Sequence, residues 1–142
     1  MILKSSQQKV VSVLEEFFQR WKSESLSYET KVKKLKELGE EEIVASITQP
    51  VKKLYESFSE YREFTDIPES IRGAYPRLCI QSPTGGGKTL LGIKTIQLFH
   101  EQFLEKRTGL VLWIVHSEPI YQQTIKKLQD KTNPYRQMLD QI

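Results

Sequence analysis

Lysine and threonine stand side by side after three glycines in Gln81-Ser82-Pro83-Thr84-Gly85-Gly86-Gly87-Lys88-Thr89. In the pattern G-x-x-x-x-G-K-S/T, Gly87, Lys88 and Thr89 fill the last three places, and the small Ser82 stands where the first glycine would be. A triphosphate concentrates negative charge in a small volume. Backbone N–H groups aimed inward, continued by the positive end of a helix dipole, give a fixed counter-field without side chains in the way. Glycines allow positive φ and a close approach, at an entropic cost. Lys88 would reach the β and γ oxygens, and the Thr89 hydroxyl would sit on Mg²⁺. The blander account is a flexible turn beside an accidental Lys-Thr pair.

Against the blander account stand the flanking elements. The apolar run Leu78 to Ile80 predicts a short strand before the loop. The run from Leu90 predicts a helix, with Leu91, Ile96, Leu98, Phe99 and Phe103 available to bury one side. At 142 residues the chain is one domain's worth, with 38% apolar and 27% charged residues, as in an ordinary water-soluble protein. Its longest apolar run, Leu110 to Val115, is too short to span a bilayer, and Met1-Ile2-Leu3 gives way at once to polar residues, so a cytoplasmic address is expected. Single Cys79 excludes an internal disulfide and is expected to be a small buried residue of the strand. A net charge of +3 does not establish a nucleic-acid partner, and the lysines at 31, 33, 34, 36, 52, 53, 126, 127 and 131 read as solvated helix faces.

Along the chain, Val10, Leu14, Phe17, Phe18 and Trp21 recur at helical spacing. The polar cluster Lys22 to Ser27 is expected to break that helix, and a second runs from about Tyr28 to Gly39. Pro50 fits the first turn of a third helix carrying Val51, Leu54, Tyr55, Phe58 and Tyr61. Thr65 to Arg77 reads as an irregular connector. Beyond the loop, the helix runs to about Glu105, and Arg107-Thr108-Gly109 turn the chain. Leu110 to Val115 is the strongest strand, a further helix spans Pro119 to Asp130, and Asn133-Pro134 marks a turn.

The expected fold class is therefore α/β. Residues 1–66 form a helical N-terminal segment, and residues 67–142 the first part of a P-loop NTPase domain with parallel strands, RecA-like in type by the helicase resemblance that its motifs carry. Two strands apolar on both faces need neighbours. The reading is thus an incomplete domain, either an N-terminal piece of a larger one or a chain that borrows strands from a partner.

Pro76 to Thr89, followed by Leu112-Trp113-Ile114-Val115-His116-Ser117-Glu118-Pro119-Ile120-Tyr121-Gln122-Gln123-Thr124, resembles superfamily 2 helicases. More narrowly, it resembles the restriction (Res) subunit of type III restriction-modification enzymes. The resemblance implies that Pro83, Thr84, Gly85, Gly86, Gly87, Lys88 and Thr89 are the ATP-binding motif I, with Lys88 catalytic and Thr89 the Mg²⁺ ligand. It implies that Ser117, Gln123 and Thr124, in a P-S-E-x-x-Y-x-Q-T pattern with His116 for the proline, lie along DNA phosphates. It also implies an adenine-binding glutamine upstream, where Gln7 in Leu3-Lys4-Ser5-Ser6-Gln7 is the candidate. Implied partners are DNA and either a modification subunit or the remaining helicase domains, with no membrane.

An acidic D-E-x-H motif is not found after Thr89, and Glu118 is its nearest imitation. The second helicase domain and its arginine finger are missing too, and loss of such a finger alone costs ~10³ to 10⁵ in rate. ATP binding with negligible turnover is the expectation. The alternatives are a free-standing nucleotide-binding regulatory or interaction module, and a small kinase using Glu118.

Overall fold

The computed structural model describes residues 3–58, 78–106 and 108–141. Six α-helices lie among them: α1 Ser5–Glu37, α2 Glu41–Val44, α3 Pro50–Ser57, α4 Lys88–Leu98, α5 Glu118–Gln129 and α6 Pro134–Leu139. A π-helical continuation of α4 covers Phe99–Leu104. The chain divides into two compact units, Met1–Phe18 with Ile80–Ile142, and Gln19–Cys79.

In the first unit, Leu14, Phe17 and Phe18 of α1 and Leu90, Leu91, Ile93 and Leu98 of α4 are buried. The Phe18 and Phe99 rings lie 5.6 Å apart, and Phe103 stacks on Phe99 at 5.3 Å. Helix α4 packs on α6, which in turn packs on α5. Asn133 caps α6 by accepting from the Tyr135 amide, as a short polar side chain before a proline can. In the preceding turn, the hydroxyl and amide of Thr132 donate to Asp130 and hold its carboxyl below the usual range.

In the second unit, three contacts fix α3 beside α1. Gln49 Nε2 donates to the Tyr28 hydroxyl, Lys53 lies 3.9 Å from Glu24, and Arg20 donates to the Ser57 carbonyl. Each step of about four residues along α3 is matched by a step of four backwards along α1, so the two run antiparallel. Leu54, fully buried, and Val51 fill the inner face of α3, and Pro50 opens it as expected.

Several expectations are overturned. No strand is present among the described residues, so the α/β arrangement with parallel strands is not the observed fold. Leu78–Ile80 and Leu110–Val115 are irregular. A strand exists only against a hydrogen-bonding neighbour, and apolar composition does not supply one. Leu110, Leu112 and Ile114 are instead 98%, 80% and 80% exposed. Cys79, expected to be buried in the first strand, is exposed for the same reason. The break at Lys22 to Ser27 does not occur, and α1 runs through it. That cluster is polar but contains neither glycine nor proline, and serine, glutamate and lysine cost a helix little. The connector Thr65 to Arg77, Tyr61 and Arg107 lie outside the described residues.

The chain from Gly109 to Val115 is nevertheless seated on α4 and its continuation. Trp113 lies so close to Gly92 that a Cβ there would stand 2.8 Å from the ring, and His100 abuts Gly109 in the same way. Buried His100 also bonds the Lys106 carbonyl through Nδ1 at 2.9 Å.

Candidate nucleotide-binding site

The glycine loop turns twice. Gly85 has φ 77° and Gly87 has φ 81°, a region closed to most side chains, and between them the Gly86 amide donates to the Pro83 carbonyl at 2.9 Å. Gly87 is the N-cap of α4, and the first helical bond runs from Leu91 back to Gly87. Among the described residues, no hydrogen bond takes up the amides of Gly85, Gly87, Lys88 and Thr89. Such open amides at a helix start form an anion-binding concavity. A Cβ at Gly85 would meet open space, whereas one at Gly86 would strike Ser82 Oγ.

Lys88 is the first residue of α4 and is exposed; Thr89, next in the helix, is half-buried. Pro83 and Thr84 are exposed on the approach. Gln7, distant in sequence, is brought to the loop. It is 7% exposed, its Nε2 donates to the Gly86 carbonyl at 3.0 Å, and its Oε1 accepts from the Lys4 amide at 2.9 Å. The family resemblance singled out Gln7 without showing this contact with the loop; the structure makes it the third residue of α1, where a glutamine can cap the helix start.

Ser117 is the N-cap of α5, and Gln123 and Thr124 lie in that helix, exposed and half-buried respectively. Among the described residues no hydrogen bond joins them to the loop. Glu118 opens α5, and its carboxylate accepts from Gln122 one turn on, at 2.5 Å.

Gly87→Ala is expected to cost about 2 kcal/mol or more, through left-handed strain and a Cβ placed 2.5 Å from Gln7 Nε2. Gly85→Ala meets only the strain, about 1 kcal/mol. Chemical denaturation of the two variants checks the difference, and equal losses would contradict the close approach of Gln7.

Left-handed glycines thus bend the loop into a helix start whose first residues are lysine and threonine. The family described as type III restriction enzyme, res subunit, matches residues 2–141, and the chain belongs to it. At the level of the family this is a helicase-like ATPase subunit of a restriction enzyme, usually dependent on ATP and magnesium. No curated protein and no solved structure gives a significant match. No helix among the described residues is long and apolar enough to cross a membrane.

Proposed function

We propose that this chain binds ATP with Mg²⁺ at the loop Pro83–Thr89, as the nucleotide-binding part of a helicase- or translocase-like restriction subunit. The observation that carries the reading is the set of open amides at Gly85, Gly87, Lys88 and Thr89, framed by the positive φ of Gly85 and Gly87. In this reading the amides cradle the phosphates, Lys88 neutralises charge on the β and γ oxygens, and the Thr89 hydroxyl ligates the metal. Bound Mg²⁺ supplies charge neutralisation between the phosphates.

The same proposal gives the chain little turnover of its own. Glu118, the nearest imitation of the water-orienting acid, is exposed and accepts a hydrogen bond from its own helix. In the same reading Ser117, Gln123 and Thr124 would meet DNA phosphates, and the family match supports a modification subunit as partner and a cytoplasmic setting.

Equilibrium titration with a fluorescent ATP analogue tests the reading. Saturable, Mg²⁺-dependent binding displaced by unlabelled ATP is expected, with phosphate release near background. Absence of saturable binding would remove the assignment.

A further inference from the structure

The resemblance makes Gln7 a reader of adenine, yet its amide already has a partner at each end. Gln7 is the third residue of α1, and its Oε1 accepts from the Lys4 amide just before the helix. This is the reciprocal half of a capping box, and it fixes which end of the amide faces which way. The Nε2 is thereby directed to the Gly86 carbonyl, 79 residues along the chain.

The consequence for the loop follows from peptide planarity. In a trans peptide the carbonyl and the next N–H point in opposite directions. Gln7 holds the Gly86 carbonyl to its own side, so the Gly87 N–H of the same peptide unit points away from Gln7. The Gly86 amide, in turn, is held by Pro83. Without the donor, a peptide between two glycines has little steric resistance to rotation, and a flipped unit would present a carbonyl oxygen where an anion needs an N–H. Gly87 also leaves the room that the Gln7 amide occupies.

We propose that Gln7 is a positioning residue that locks the Gly86–Gly87 peptide with its N–H available to phosphate, acting through the loop and not through the base. This deepens, and rests on, the nucleotide-binding reading above. Preorganisation of this kind contributes to affinity for any ligand with the same phosphates.

The test compares wild type, Gln7→Glu, Gln7→Ala and Lys88→Ala. Gln7→Glu keeps the acceptor for Lys4 and the side-chain volume but removes the donor to Gly86, so the helix start is retained where Gln7→Ala disturbs it. ATP, GTP and inorganic tripolyphosphate are titrated in Mg²⁺, and the Gly86 and Gly87 amide signals are followed by NMR in the unliganded protein. The expected result is a loss of about fivefold or more for Gln7→Glu, where the lost hydrogen bond and the added carboxylate charge act alike on all three ligands. Exchange broadening at Gly86 and Gly87 should accompany it. The uncharged Gln7→Ala should also lose affinity equally for all three, and full affinity there would assign the loss to the charge and overturn the proposal. A loss confined to ATP would make Gln7 a base reader and overturn the proposal, as would unchanged affinity. If wild type and Lys88→Ala bind none of the ligands, the nucleotide reading fails on its own. The unliganded spectra then decide the brace: broadening in Gln7→Glu sustains it, and sharp, unshifted signals overturn it.

Discussion

Lys88→Ala is expected to weaken binding of a fluorescent ATP analogue about tenfold to a hundredfold while moving the melting temperature of the unliganded protein by no more than about 2 °C. The two halves of this result have separate causes. Lys88 is exposed and stands at the start of α4, where its positive charge lies at the positive end of the helix dipole. Removing it costs the unliganded fold almost nothing. A triphosphate bound at the loop, by contrast, would lose a mobile cation carried by the first residue of the helix. A charge-assisted hydrogen bond is worth about 1.5 to 3 kcal/mol, so one such contact accounts for a fall of about tenfold to a hundredfold. Affinity equal to wild type would place the anion elsewhere, and a large fall in melting temperature would make Lys88 a structural residue.

Ile93→Ala tests the helix that carries the loop. Ile93 is fully buried in α4, so truncation removes apolar contacts and leaves a cavity, at a cost of about 2 to 5 kcal/mol. At this chain length, a loss in the middle of that range lowers the melting temperature by on the order of 10 °C. The matching truncation Ile114→Ala, at a side chain 80% exposed, is expected to change stability by less than about 0.5 kcal/mol. Thermal melts of the pair check the assignment; similar losses at both would contradict the burial pattern of the first unit.

The loop was legible because its chemistry restricts residue type. Positive φ requires glycine at Gly85 and Gly87, and the helix must begin where Lys88 and Thr89 can use its open amides. Local periodicity likewise placed α5 to within a residue at each end, and Pro50 opens α3 as expected, although that helix stops at Ser57, short of the expected Phe58. The strands were not legible, because the apolar pattern of Leu110 to Val115 states a preference and not a partner. Pairing is a property of two segments, and no second one is placed against it among the described residues. The joined helix α1 escaped for a different reason. The polar stretch at Lys22 to Ser27 looks like a loop by hydrophobicity, while its backbone propensities permit a helix throughout. The brace by Gln7 depends on residues 79 positions apart, a juxtaposition that spacing within one motif cannot disclose.

The bare side of the run Leu110, Leu112 and Ile114 has a practical corollary for the material itself. Six consecutive uncharged residues, rich in β-branched and aromatic side chains and free of proline, form a segment suited to stacking with copies of itself. With alternate side chains facing water, concentrated solutions should drift toward insoluble fibrous deposits, so colloidal lifetime would be governed by this hexapeptide more than by the melting of the helices.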